Sequence, residues 1–459
     1  MKQNIYFLGI GGIGMSALAR YFMHEGRHVA GYDRTPSDLT RRLESEGAEV
    51  HYADDPSLVG ERFRDPASTL VIYTPAIPPD HREWAWLREN GFEIVKRSQA
   101  LGHIAGDRFV MAVAGTHGKT TTTTLAAWLD HRAGSRGSAF LGGISKNFDS
   151  NLVLGPGERL AVEADEFDRS FLRLHPDVAV VTSADADHLD IYGTHESLLE
   201  AFAQFVRQVK RAAIVKLGVE LPLDNPTARI YRYSYHTPCD FYAANIRLRE
   251  GGYYMFDIVC PDRAVRDCTL GVPGHINVEN AVAATALMWA AWRYGQAGGP
   301  FDEEGLRLAL KGFAGVKRRF EFYMNTPKLV YMDDYAHHPR ELEAAITSVR
   351  DMFPARRLTV VFQPHLYTRT RDFYPDFARA LSLADEAILL PVYPAREEPI
   401  EGVTTEMIAG LMSIPCRIVP KERLVETLAA TELDVAITFG AGDIDNYCEA
   451  IADKLRARQ

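Results

Sequence analysis

The stretch FVMAVAGTHGKTTTTT, Phe109–Thr124, decides how this chain folds. An apolar, β-favouring run (Phe109–Ala114) enters a turn bounded by Gly115 and Gly118, and a lysine and threonines then open a helix. Strand, glycine turn and helix in that order cradle phosphate, because successive backbone N–H groups and the positive helix end converge on one anion. The pattern predicts that Gly115, Thr116, His117, Gly118, Lys119, Thr120 and Thr121 surround the phosphates of ATP. Lys119 would reach the β- and γ-phosphates as a catalytic charge, and the Thr120 hydroxyl would ligate the Mg2+ that bridges them. Lys119 has no evident partner other than phosphate. The motif is a shortened P-loop, since Val113 stands where the usual first glycine belongs.

Two acidic stretches follow further apolar runs. Glu163 lies in AVEADEFD and His188 in SADADHLD, both at ends of predicted strands, where an α/β sheet presents its ligands. Together with Thr120 they are the candidate magnesium ligands, although imidazole is uncommon on so hard a cation. The competing reading makes them helix caps and solvated loop acids.

A second glycine turn stands at the N-terminus. Gly9-Ile-Gly11-Gly12-Ile13-Gly14 fits GxGxxG between a strand and a helix, and Asp33 follows Gly14 by nineteen residues at the end of the second strand. The arrangement calls for a diphosphate near the helix end and a ribose near the acid. A nicotinamide dinucleotide and a UDP-sugar both satisfy that chemistry.

With 459 residues the chain is too long for one ordinary core and points to three domains. Apolar residues make up 46% and charged residues 24%, as in a folded enzyme and not a disordered chain. The net charge of −10 argues against duplex nucleic acid as a partner. Five cysteines without CxxC spacing argue against a disulfide framework. No signal-peptide pattern opens the chain, and the longest apolar run, Ala281–Trp292, is too short to cross a membrane. A cytoplasmic location without membrane insertion is expected.

The fold class expected is α/β in three parts. Residues 1–106 alternate short strands (Ile5–Leu8, Val29–Gly31, Leu70–Tyr73, Glu93–Val95) with helices, giving a Rossmann-like unit. Residues 107–315 form a P-loop ATPase-type unit with strands at Leu160–Glu163 and Val178–Thr182, an antiparallel insert near 228–272 and a helix after Gly274. Residues 316–459 form a second Rossmann-like unit, with strands at Leu329–Met332, Leu358–Phe362, Glu386–Leu390 and Val435–Thr438.

With these pieces in hand, the chain resembles the bacterial Mur ligases throughout its length. The matching blocks are GIGGIGMSALA (Gly9–Ala19), KRSQALG (Lys96–Gly102), AGTHGKTTTT (Ala114–Thr123), EADE (Glu163–Glu166) and GHINVENAVAA (Gly274–Ala284). They continue with KRRFE (Lys317–Glu321), DDYAHHP (Asp333–Pro339) and FQPHLYTRTRDF (Phe362–Phe373). The resemblance implies a UDP-sugar at the first glycine turn, contacted by Gly11, Gly12, Ile13, Gly14, Asp33 and Arg97, with ATP at the second. It further places Asn277, Asn280 and Arg319 around the ATP, Tyr335 and His337 near substrate and ATP, and Arg369 and Arg371 toward the substrate diphosphate. Within the family, FQPHLYTRTRDF and the moderate length fit a member that joins L-alanine to UDP-N-acetylmuramate better than one that attaches a preformed tripeptide. A nucleotide-hydrolysing switch is the rival from another class.

The chain departs from the pattern at Leu366, where many relatives carry arginine, and it has no lysine between Leu189 and Val209 to match the carbamylated lysine of several sister ligases. The implied chemistry makes an acyl phosphate at a carboxylate, which an amine then attacks. His337 is the candidate base or positioner for that amine, and Arg369 is expected to help neutralise the phosphates.

Overall fold

A computed structural model of the protein describes residues 2–78, 80–186, 189–295, 302–395 and 397–458. The chain divides into two compact units: Met1–Ala243 with Ile258–Val265 and Asn280–Phe313, and Ala244–Asp257 with Arg266–Glu279 and Ala314–Gln459. Helices and strands alternate through both, forming a mixed α/β architecture with three sheets among the described residues.

The N-terminal strands Asn4–Leu8, His28–Tyr32, Glu49–His51, Thr69–Tyr73 and Glu93–Lys96 (β1 to β5) form a parallel sheet in the order β3-β2-β1-β4-β5. All five residues of β1 are buried, as expected of a central strand covered on both faces. Ile5 and Phe7 pack with Leu18 and Phe22 of the helix Ile13–His24, while Tyr6 and Leu8 face Phe63 and Leu87 on the other side. Each such side chain contributes about 1.5–3 kcal/mol of burial. Strand order reverses at β1, so the turn Gly9–Gly14 opens at the point where such sheets bind ligands.

The central strands are Phe109–Ala114, Ser138–Ser145, Ser150–Val153, Arg159–Ala164, Val178–Val181, Ala212–Lys216, Arg229–Ser234, Phe241–Leu248, Tyr254–Cys260 and Arg263–Thr269 (β6 to β15). Their order is β15-β14-β13-β12-β11-β10-β6-β9-β7-β8. The P-loop strand β6 lies between β9 and β10, parallel to both. Val113 pairs with Glu163, and Ala114 pairs with Ala164 and Val181, so these strands present their following loops at one edge. The expected antiparallel insert needs correction at its start. Arg229–Ser234 runs parallel to β11, and Phe241–Leu248 runs parallel to β12. Alternating polarity reports one buried face but not strand direction, which is why the sequence misled here.

In the second unit, Glu321–Asn325, Val330–Asp334, Leu358–Phe362, Glu386–Leu389, Cys416–Ile418 and Val435–Phe439 (β16 to β21) are ordered β16-β17-β21-β18-β19-β20. Only β16 pairs antiparallel; the other neighbours are parallel. Their core is Val- and Ile-rich, with Val360, Phe362, Ile437 and Phe439 fully buried. Cys239, Cys260, Cys268, Cys416 and Cys448 form no disulfide among the described residues. No helix among the described residues is long and apolar enough to cross a membrane.

Candidate functional site

The phosphate-type turn after β6 is shaped by its backbone. Gly115 has φ +136°, and a Cβ there would stand 2.1 Å from Thr182 Oγ1, so only glycine fits. Gly118 has φ +79° and forms the N-cap of the helix Lys119–Arg132 with no side-chain cap, leaving the first N–H groups of that helix to an anion. The Thr116 and His117 N–H groups are already engaged, donating to Ser183 O at 3.3 Å and Ser183 Oγ at 2.8 Å. The donors that the fold leaves for phosphate are therefore those that begin the helix, around Lys119, Thr120 and Thr121. Asn280 sits against this turn: Thr122 Oγ1 donates to its Oδ1 at 3.2 Å, and a Cβ on Gly118 would lie 3.0 Å from the same atom.

Lys119 does have a protein partner, contrary to the expectation from sequence. Its Nζ donates to Gly115 O at 2.6 Å and to Glu166 Oε1 at 2.9 Å. Burial works to lower the Lys119 pKa, but the carboxylates of Glu166, Asp165 and Glu163 outweigh it and hold the ammonium above its ordinary range. The lysine is a fixed positive charge at any physiological pH.

Glu163 is the penultimate residue of β9, beside the P-loop strand, and lies over Gly142, where a Cβ would meet Glu163 Oε2 at 2.1 Å. That oxygen is buried without a hydrogen-bond partner. An unpaired buried carboxylate oxygen next to a phosphate cradle suits a hard cation. Thr120 is buried at the first turn of the helix after the P-loop. His188, the third expected ligand, lies outside the described residues. Among those residues no cluster of three or more His, Cys, Asp or Glu side chains gathers as a metal site.

The first glycine turn is organised by Asp33, whose Oδ2 accepts the Gly11 N–H at 2.7 Å. Alanine at position 11 would place its Cβ 2.8 Å from that oxygen and 2.7 Å from Thr40 Cγ2. The helix that begins at Ile13 has Gly12 as N-cap and again no side-chain cap. Arg97 closes one side, since a Cβ on Gly14 would stand 2.8 Å from Arg97 Nη1. Arg97 also donates to Asp165 Oδ2 at 2.9 Å, so the two glycine turns share a connected set of charges.

In the second unit, the loop after β17 carries Tyr335 and His337. The Arg319 guanidinium lies over the Tyr335 ring at 5.0 Å, and Arg318 stacks on it at 5.1 Å while pairing with Asp333 at 3.2 Å. His337 Nδ1 lies 3.0 Å from Tyr335 O, and its backbone N–H donates to Glu341 Oε2 at 2.9 Å. Burial pulls the His337 pKa down to about 4, with the positive Arg369 and Arg319 adding to the effect against Glu341. The ring is thus neutral at pH 7, with a basicity too low to take a proton from an ammonium efficiently. Asp334, buried beside it, is pushed up to about 6, first by desolvation, while accepting from the Phe320 and Ala336 N–H groups.

Arg371 and Asn277, also expected at the site, have protein partners of their own. Arg371 is exposed and paired with its neighbour Asp372 at 2.7 Å. Asn277 is buried and donates to Pro273 O at 2.7 Å. Leu366 has φ +72°, uncommon for a branched side chain, and is 9% exposed. An apolar side chain in that place supplies no contact to a diphosphate.

The sequence reading missed several groups that build the site. Thr182 donates to Ala114 O at 3.1 Å and to His117 O at 2.5 Å, and Ser183 Oγ lies 2.9 Å from Thr116 Oγ1. Both follow β10, and the SADAD run at a strand end was the available signal. Glu166 was visible as the last residue of EADE, but its ion pair was not.

These features define a class: α/β P-loop proteins that carry a second glycine-turn domain ahead of the P-loop. Three family profiles match in succession: "Mur ligase family, catalytic domain" over residues 4–109, "Mur ligase middle domain" over 113–288 and "Mur ligase, glutamate ligase domain" over 318–444. The chain belongs to the Mur ligase family. It is 49% identical to the UDP-N-acetylmuramate–L-alanine ligase of Phocaeicola vulgatus, covering 99% of both chains. It is 47% identical to that of Parabacteroides distasonis, over 98% of this chain and 97% of the relative. The crystal structure of UDP-N-acetylmuramate–alanine ligase from Thermotoga maritima superposes with a TM-score of 0.82 at 26% identity, covering 99% of this chain and all of that one. A murein peptide ligase from Psychrobacter arcticus shares the fold, with a TM-score of 0.70 at 22% identity over 99% of this chain and 98% of that one.

Proposed function

We propose that this protein joins L-alanine to the lactyl carboxylate of UDP-N-acetylmuramate at the expense of ATP, a step in peptidoglycan precursor synthesis. The observation that carries the reading is the near-full-length similarity to UDP-N-acetylmuramate–L-alanine ligases in a chain that keeps two separate phosphate-type turns. ATP belongs at the turn Gly115–Thr121, with Asn280 beside it; family resemblance alone assigns Asn277 and Arg319 to the same nucleotide. UDP-N-acetylmuramate belongs at Gly11–Gly14, with Asp33 toward the ribose and Arg97 toward the diphosphate; family resemblance alone assigns Arg369 and Arg371 to that diphosphate. We assign residues 1–106, 107–315 and 316–459 to the sugar-nucleotide, ATP and C-terminal domains, and place the protein in the cytoplasm.

A carboxylate is a poor electrophile because its leaving group would be oxide. Phosphoryl transfer converts that oxygen into a phosphate leaving group, and catalysis of the transfer is mostly positioning and charge neutralisation. Lys119 supplies a permanent positive charge, with Arg369 as a further one. Thr120, Glu163 and His188 are the groups that would hold Mg2+, which when bound neutralises and orients the phosphates. The free Oε2 of Glu163 fits that role. The neutral His337 ring, with Tyr335 beside it, positions the incoming amine by accepting a hydrogen bond. Phosphate release with each substrate omitted in turn tests the whole assignment. Turnover only with all three supports it, and release without any amine supports a nucleotide-hydrolysing switch instead.

A further inference from the structure

A short segment, Asp165–Arg169, touches both glycine turns. Asp165 accepts from Arg97 at 2.9 Å, and Arg97 lies against Gly14. Asp168 takes the Lys96 ammonium at 2.6 Å. Between them Glu166 holds Lys119 at 2.8 Å. Three acids of one stretch thus each grip a cation: Arg97 against Gly14, its chain neighbour Lys96, and Lys119 in the P-loop. The backbone is bent to allow it: Asp168 and Arg169 have φ +52° and +55°, a left-handed pair that side chains rarely adopt and that persists only where the surroundings enforce it. Tyr192 provides part of that enforcement, donating to Glu166 O at 2.6 Å while the Arg169 guanidinium lies 4.9 Å over its ring.

A triphosphate at the P-loop competes with Glu166 for Lys119. Glu166 is fully buried, and a buried carboxylate that loses its cation is strongly disfavoured, so the segment must re-seat. A diphosphate at Gly11–Gly14 draws on Arg97 and disturbs the same segment through Asp165. We infer that Asp165–Arg169 is a coupling strap, through which occupancy of one nucleotide site favours occupancy of the other. This rests on the assignment of the two sites given above. The first ligand bears the cost of re-seating the strap, so the second meets it already re-seated and binds more tightly. Asp168 and Lys96 are positioning residues in this scheme and touch neither ligand.

The test is calorimetric titration of UDP-N-acetylmuramate into the full-length enzyme, alone and saturated with magnesium and the β,γ-imido analogue of ATP. Wild-type enzyme should bind the sugar nucleotide about fivefold or more tightly when the analogue is present. Asp168→Asn should leave each ligand's separate affinity within about threefold and bring that ratio close to one. Asparagine tolerates the left-handed backbone, so the substitution removes charge without adding strain. Lys96→Met, on the other side of the same ion pair, should behave alike. A merely structural ion pair would lower the melting temperature and leave the ratio intact, and that outcome overturns the proposal. A wild-type ratio of one with both ligands bound also overturns it while sparing the site assignment. Failure of either ligand to bind wild-type enzyme rejects the site assignment, and the strap falls with it.

Discussion

Lys119 Nζ lies 2.8 Å from Oε2 of Glu166, so the lysine proposed to contact phosphate is one half of a buried ion pair. Removing it has two separable consequences. Lys119→Ala should lower turnover by roughly 3–4 kcal/mol of transition-state stabilisation, by analogy with a lost oxyanion donor. It should also destabilise the fold by about 3–5 kcal/mol, because Glu166 is left buried and unpaired. Lys119→Ala combined with Glu166→Gln should regain most of the melting temperature and none of the activity. Recovery of turnover in the double variant would remove Lys119 from the reaction.

Glu163→Ala should raise the magnesium concentration needed for half-maximal rate by roughly tenfold or more, since it removes the proposed ligand oxygen, Oε2, which has no hydrogen-bond partner in the protein. Its stability should change little or improve, because an unpaired buried oxygen disappears with it. An unchanged magnesium titration would take Glu163 out of the metal site.

Several features of the candidate site were legible in the sequence because backbone patterns carry them. Gly115 and Gly118 occupy positive-φ positions that announce themselves as glycines, and Glu163 stands at the end of an apolar run. What stayed hidden depends on contacts between distant residues. The pairing of Lys119 with Glu166 and of Arg97 with Asp165 has no local spacing to reveal it. Short edge strands such as Glu49–His51 and Cys416–Ile418 carry too few residues for periodicity to show. The parallel direction of Arg229–Ser234 is set by its neighbour β11 and not by its own side chains.

Gly11→Ala should weaken UDP-N-acetylmuramate binding by about 1–3 kcal/mol, since its Cβ would press on Asp33 Oδ2 at 2.8 Å and Thr40 Cγ2 at 2.7 Å. ATP-analogue affinity measured without the sugar nucleotide should stay within about twofold, because the P-loop geometry is untouched. Equal loss at both ligands would point to general unfolding of the first domain.

His337 carries a pH signature whose sign is fixed. Its folded pKa is depressed to about 4 by burial, below the unfolded value of ~6.5. Between those values the unfolded chain binds a proton that the folded one does not, so this residue's contribution to stability is lost as pH falls through that window. Compared with wild type, His337→Gln should therefore lose less melting temperature between pH 7 and about pH 4.5. Parallel losses in both proteins would show that His337 is not held neutral.

The identity of the amine distinguishes an L-alanine ligase from a tripeptide ligase. Phosphate release would be followed with ATP, magnesium and UDP-N-acetylmuramate, adding L-alanine, a tripeptide that begins with L-alanine, or neither. One methylene is worth only ~1–3 kcal/mol of discrimination, so glycine and L-serine should be used poorly but measurably, while L-alanine turns over fastest. Release should be efficient with L-alanine, slight with the tripeptide and almost absent without an amine. Efficient turnover with the tripeptide and little with L-alanine would contradict the proposed function.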